Sequence, residues 1–286
     1  QSLDLLQRDL DDIRKELATL GGTLSDREKR QLAARDMINK LNNDISGLSR
    51  VVMGEYSRLE SLKNITERYD GYGNSIRKVM EQKDRYKGIV GVVADIIKTQ
   101  KQYETAIETA LGGTIQNIVT DNEETAKGLI AFLKQNKFGR ATFLPLSAIS
   151  GRDIRVDSSL TRENGAVGFA NQLVECDSEF TELARYLLGR ILVVDNIDNA
   201  LAIARRHNHS LRIVTLEGDM LSPGGSMSGG AFKNSSNLLG RRREIEELEA
   251  SVSVKEAELK KSEEQLTAAR EQLGALRTEI EQIKAA

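Results

Sequence analysis

The sequence predicts an α/β globule with two pseudo-repeated subdomains, inserted in an antiparallel intramolecular coiled coil. Three observations predict it. Apolar residues recur every seven positions at both ends of the chain, that rhythm is absent from about 86 to 232, and the middle alternates β-branched runs with helical stretches.

The N-terminal arm, residues 1–85, carries Leu3, Leu10, Leu17, Leu24, Ile38, Ile45, Val52 and Leu59 on one heptad position. Leu6, Ile13, Leu20, Leu41, Leu48 and Leu62 follow three residues later. The C-terminal arm, residues 233–286, repeats the pattern with Ile245, Val252, Leu259, Leu266, Leu273 and Ile280, and with Leu248, Ala269, Leu276 and Ile283 on the second row, which Lys255 and Ser262 interrupt. A chain that leaves along one helix and returns along another brings the two together antiparallel. Register pairs the returning helix with about residues 25–70, leaving residues 1–20 without a partner in the chain; Gly21 and Gly22 mark a weak point there.

The insert, residues 86–232, divides into subdomains of about 86–150 and 165–232. "TIQNIVT", "RATFLPL", "RILVV" and "LRIVTL" read as strands, and Ala126, Leu129, Ile130 and Leu133 share one helix face. The stretch "IVTDNEETAKGLI" lies over "LVVDNIDNALAIA" without a gap, so Asp121-Asn122 and Asp195-Asn196 each stand where a strand gives way to a helix that they can cap. "RATFL" and "RIVTL" match as the next strand of each copy, and the polar stretch 147–166 links the copies.

A formal net charge of −2 gives no global attraction to nucleic acid or anionic membrane, so any such contact needs a local basic cluster. Cys176 is alone, which excludes a disulfide framework and fits a reducing, cytoplasmic setting. The longest apolar run, 88–97, is too short to span a bilayer and contains Asp95. The expectation is a chain with no membrane segment.

The segment "EGDMLSPGGSMSGGAF", 217–232, decides the functional class. Gly225 and Gly230 have phosphate-loop spacing, but Ala231 and Phe232 stand where that loop needs lysine and a hydroxyl. Ser228 to Gly230 matches the signature triplet of ABC-type ATPases, with no Walker motif in the chain to complement it. His207 and His209 lack companions at metal-ligand spacing, and Cys176 sits between Glu175 and Asp177, which raise rather than lower a thiol pKa. No catalytic residue, metal or cofactor is therefore assigned. Glycine offers freedom at positive φ and close approach of a second backbone, and this segment follows a strand whose edge can pair with another chain.

Together with "KGIVGVVADII", "ALGGTIQNIV", "GRATFLPL" and the flanking heptads, "GDMLSPGGSMSGG" resembles the hinge domain and adjoining arms of the SMC (structural maintenance of chromosomes) family, most like its bacterial chromosome-partition members. The resemblance covers the whole insert. It implies a doughnut-like homodimer, with Gly224, Gly225, Gly229 and Gly230 as interface glycines and Met227 nearby, on a protein that organises and segregates chromosomes in the nucleoid. It implies ATPase heads, absent here, that bind kleisin and accessory subunits. It also implies non-sequence-specific DNA contact where hinge meets arm, for which the candidates are Lys233, Arg241, Arg242 and Arg243, with Lys137 and Arg140. Positive charge in the first turns of a helix, capped here by Ser235, Ser236 or Asn237, costs ~0.3–1 kcal/mol per residue, so the arginines do not serve the helix; Glu244, Glu246 and Glu247 offer the alternative of a salt-bridged, solvated face. The competing functional reading is a small-molecule or nucleotide-binding α/β domain on a helical stalk.

Overall fold

The computed structural model describes residues 2–151, 155–230 and 237–286. The chain divides into two compact units, Gln1–Leu59 with Leu248–Ala286, and Glu60–Glu247.

The first unit is made from α1 (Ser2–Glu67) and the later part of a second long helix, Leu238–Ala285. Their partners run in opposite directions: Arg27 pairs with Glu279 at 2.8 Å, Glu28 with Lys284 at 3.1 Å, and Glu55 with Lys255. As residue number rises on α1 it falls on the returning helix, which is the antiparallel register. Ala34, Val52, Leu59, Val252, Leu266, Leu276 and Ile280 are buried along the seam. Lys255, which breaks the second apolar row, is spent on Glu55, and the Ser251 hydroxyl donates to the same carboxylate at 2.9 Å. Leu3, Leu6, Leu10, Ile13 and Leu17 are exposed, and α1 continues through Gly21 and Gly22.

The second unit takes in α2 (Asn74–Met80), then β1 (Ile89–Val92), α3 (Val93–Ile96), β2 (Lys98–Thr99), α4 (Glu104–Leu111), β3 (Ile118–Thr120), α5 (Glu123–Asn136) and β4 (Phe143–Pro145). A second series follows: β5 (Ala166–Phe169), β6 (Val174–Glu175), α6 (Thr181–Leu188), β7 (Ile191–Val194), α7 (Ile197–Arg206) and β8 (Arg212–Thr215). It then adds β9 (Met220–Leu221) and β10 (Met227–Ser228) before α8 (Leu238–Ala285) begins. The unit reaches further at both ends than the break in the heptads, because Ile76, Val79, Met80, Leu238 and Leu239 lie in its core.

The two series are the same module built twice. The first sheet has the order β1-β3-β4 and the second β10-β9-β8-β7-β5, so β1-β3-β4 corresponds to β5-β7-β8. In each, an antiparallel pair with a bulge (between Ile89 and Gly91, between Ala166 and Gly168) precedes a parallel pair closed by the crossover helix. The helix starts match bond for bond. Asn122 Oδ1 accepts from Thr125 N at 2.9 Å and Asn196 Oδ1 from Asn199 N at 2.9 Å, while Asp121 and Asp195 each accept from the following amide at 2.7 Å. β2 and β6 pair antiparallel and stitch the copies together.

β7 is buried at all four positions because both faces are covered: Ile191 and Val193 face the larger core shared by the two copies, and Leu192 and Val194 face α7. Each such side chain contributes ~1.5–3 kcal/mol by leaving water. Two expectations need correction. Residues 112–116 form a 3₁₀ turn rather than the start of a strand, as the glycine pair Gly112-Gly113, with Gly112 at φ +51°, ends α4 there. The match of "RATFL" to "RIVTL" is out of step with the sheets. Ile118 pairs with Phe143 and the equivalent Leu192 with Ile213, so Phe143 corresponds to Ile213; the loop before each strand differs in length and the sequence match ignored it.

Candidate functional site

The glycine-rich segment is a hairpin on the open side of the second sheet. Met227 pairs with Leu221 and Ser228 with Met220, so β10 is the outermost strand, and residues 223–230 are all exposed. The turn is held from within. Ser222 N donates to the Ser226 carbonyl at 2.9 Å, Gly225 N to the Ser222 carbonyl at 3.0 Å and Gly224 N to the His209 carbonyl at 2.8 Å.

Each of the four glycines has a reason inside its own chain. Gly224 and Gly225 turn at φ +89° and +95°, and Gly230 lies at +132°, conformations an L side chain resists. Gly229 is different: a Cβ there would stand 2.2 Å from Asp219 Oδ1, and Asp219 is fixed by the Thr215 hydroxyl, which donates to its Oδ2 at 3.1 Å. Met227 is 54% exposed on the rim strand, an apolar side chain with no cover of its own. The hairpin thus presents a two-residue strand whose outer edge has no strand partner among the described residues, and one bare thioether, on a turn held by its own hydrogen bonds.

The first sheet lacks this addition. Among the described residues no strand pairs beyond its β4, although its counterpart β8 is followed by β9 and β10. One sheet therefore ends in an open edge and the other in a projecting hairpin.

The arginine run sits at the start of α8, where Asn237 is the cap, its Oδ1 accepting from Gly240 N at 2.7 Å. Ser235, Ser236 and Lys233 lie outside the described residues. The guanidinium groups point into the globular unit. Arg241 Nη1 donates to the Asp70 carbonyl at 3.0 Å, Arg242 stands 3.7 Å from Glu246, and Arg243 holds both Glu104 and, at 2.7 Å, Glu247. Glu246 also takes Lys98 at 2.6 Å. Glu104 and Glu108 are both buried, and Glu108 Oε1 accepts from Leu239 N at 2.8 Å, a carboxylate placed on the free amides that open α8. Burial pushes the Glu108 carboxyl up to about 7, against the Leu239 amide, which favours the ionised form, and with the like charge of Glu104 adding to the rise. Burial likewise raises Asp95, whose carboxylate accepts from the Tyr69 hydroxyl at 3.1 Å.

Lys137 and Arg140 are exposed. Lys137 adopts the left-handed conformation, φ +54°, that ends α5, and the Arg140 carbonyl accepts from the Ser75 hydroxyl at 2.7 Å. The described basic candidates thus fall into two groups, an arginine run engaged by the Asp70 carbonyl and by Glu104, Glu246 and Glu247, and two residues turned to solvent. Glu104 and Glu108 escaped sequence reasoning because two carboxylates four apart on a short helix look like its solvent face; the signal was that α4 contains no base to balance them.

His207 closes α7 and stands 3.1 Å from Glu163, which also takes Arg206 at 2.7 Å. Burial and Asp177 push the Cys176 thiol up. Among the described residues no group of three potential metal ligands occurs, and no helix is long and apolar enough to cross a membrane.

Three comparisons bear on this geometry. The family model for the flexible hinge domain of SMC proteins matches residues 86–204. Chromosome partition protein Smc of Lactiplantibacillus plantarum is 33% identical over 260 residues, 90% of this chain and 22% of its own length; that of Bacillus subtilis is 37% identical over 239 residues, 82% and 20% respectively. The chain thus spans about a fifth of the length of these curated relatives. The Geobacillus stearothermophilus SMC hinge domain, solved as an asymmetric dimer, is similar with a TM-score of 0.78 and 33% identity, over 85% of this chain and 98% of that one.

Proposed function

The chain belongs to the SMC hinge family, and from that premise we propose that it is the homodimerisation hinge of a chromosome-organising SMC protein, joining two coiled-coil arms. The observation that carries the reading is the mismatch of sheet edges: β10 projects uncovered from the second sheet, and β4 of the first sheet is open where its counterpart is covered. A hairpin from one copy laid against β4 of another extends the three-stranded sheet by main-chain hydrogen bonds. Two copies can make that junction twice, since each owns one hairpin and one open edge, and such a pair closes on itself. The dimeric hinge of Geobacillus stearothermophilus supports the reading.

In this proposal the segment performs no catalysis and needs no cofactor. ATPase activity, kleisin and accessory subunits belong to parts of the whole protein outside this chain, in a cytoplasmic, nucleoid-associated setting. DNA contact falls to the exposed Lys137 and Arg140 rather than to the arginine run, in which Arg243 is held by Glu104 and Glu247, Arg242 stands beside Glu246, and Arg241 is engaged by the Asp70 carbonyl. Replacing both exposed residues by glutamate is expected to weaken DNA binding and to lower the slope of log affinity against log salt by roughly 0.7–0.9 for each phosphate no longer neutralised; an unchanged slope removes them.

Sedimentation equilibrium tests the dimer. Bulk at Gly229 is the informative change, since the three atoms nearest a Cβ there, among the described residues, all belong to the Asp219 side chain. Gly229→Val combined with Asp219→Ala relieves that clash, and the expected outcome is a folded monomer. A double variant that stays fully dimeric counts against the hairpin as the dimer junction.

A further inference from the structure

A cavity of about 700 Å³ opens in the second module, beside the beginnings of β7 and β8. That volume lies in the range of small-molecule sites, roughly 300–1,000 Å³. The floor is apolar. Phe169 and Ile191, each 3% exposed, come from the sheet, and Leu160 comes from the short 3₁₀ turn Ser158–Arg162 that forms one wall. Arg155, Arg190 and Arg212 stand around the opening, and all three are exposed.

The charge of this lining is unbalanced in a way that the chain as a whole is not. The sequence has 41 basic against 43 acidic residues, whereas the cavity sets three arginines against one acid, Asp157, whose carboxylate is already engaged in accepting from Ser159 N at 2.9 Å. Among the described residues none of the three arginines has a hydrogen bond or an ion pair. The arginine run of α8 is the opposite case, since carboxylates and the Asp70 carbonyl answer it.

The frame of the module does not call for this charge. Aligned on the capping asparagines, Arg190 corresponds to Gln116; aligned on the parallel ladders, Arg212 corresponds to Thr142. The first module thus heads the same two strands with neutral residues. The arginines are an addition of the second module, placed where an apolar floor meets solvent.

We propose that this cavity is a binding site for a small phosphate monoester with an apolar body of one or two rings. Burial of the body against the floor supplies affinity. The head, with about −1.5 to −2 charges at pH 7, answers the arginines, whose planar guanidinium groups take phosphate oxygens in pairs. A carboxylate brings one charge to three cations, and inorganic phosphate leaves the floor wet. The ester meets both needs.

The test titrates the full chain with naphthyl phosphate, naphthol and inorganic phosphate, followed by calorimetry. The ester is expected to bind about tenfold or more tighter than either of the other two, equivalent to about 1.4 kcal/mol, and to lose that advantage in Arg190→Glu/Arg212→Glu. Both changes are at exposed positions, and circular dichroism confirms the fold of the variant. Leu160 and Ile191 methyl resonances should shift with the ester in the parent chain. Failure of the ester to bind, an ester no better than naphthol or inorganic phosphate, or indifference to the arginine reversal overturns the proposal. So does a single-stranded oligonucleotide that displaces the ester and is itself lost on reversal, which gives the arginines to a nucleic-acid backbone, and so does a reversal that changes sedimentation mass, which gives the cavity to a second copy of the chain.

Discussion

The two modules of the globular unit share strand order, bulge position and capping bonds, yet they are finished for opposite purposes. The first receives helices. Its α4 supplies Glu104 to Arg243 and Glu108 to Leu239, and its strand ends hold α2 through Gln116 and Arg140. The second presents an edge. At the position of Glu108 its α6 has Arg185, at that of Glu104 it has Thr181, and its last strand is continued into the β9-β10 hairpin. The common frame is set by buried apolar residues and helix caps, which tolerate little change. The difference lies in exposed or half-buried positions at the rim, where a few side chains redirect what the module can touch.

Core truncation should strike both copies alike and produces the largest effect. Leu129 on α5 and Ile203 on α7 are equivalent and fully buried. Leu129→Ala and Ile203→Ala are each expected to cost ~2–5 kcal/mol in denaturant unfolding. A cheap truncation in only one would show that the modules do not share a common core logic.

The second effect belongs to the first module alone. Glu108 titrates at about 7 in the fold against the ordinary 4.5. Folding therefore takes up a proton between these values, so stability is highest at acid pH and falls as pH rises through about 7, by ~1–3 kcal/mol in total. Asp95, also raised, adds a slope of the same sign. Thermal unfolding of Glu108→Gln beside the parent between pH 5 and 8.5 isolates the carboxyl: the difference between the two should change across this window, and a constant difference refutes the assignment.

The smallest effect sharpens the repeat. Asn122→Ala and Asn196→Ala each remove one cap bond of 2.9 Å and should cost about 1 kcal/mol, equal within error. Unequal losses would mean that Asp121 and Asp195, the neighbouring carboxylates, share the capping unevenly.

Much of this was legible in the sequence because it follows from periodicity. The heptads located the seam, including Val52, Leu59, Val252 and Leu266, and the Asp-Asn pairs located both crossover helices. The fold class followed. What escaped was whatever depends on a partner far along the chain. Arg243 reads as a surface cation until Glu104, distant in sequence, is found beneath it. Gly229 reads as an interface glycine, and only the position of Asp219 shows that a side chain there must also displace a carboxylate of its own chain. α2 was invisible because seven residues are too few for a helical rhythm to stand out from the heptads before it.

The uncovered strand at Met227 and Ser228 has one consequence for fidelity. A ladder of peptide groups cannot distinguish one polypeptide from another, since every chain offers the same amides and carbonyls. On the proposed junction, self-recognition is decided beside the ladder, by the bare Met227 thioether and by the fixed bend of the turn that carries it. Altering those should make the molecule less choosy before it makes it less sticky.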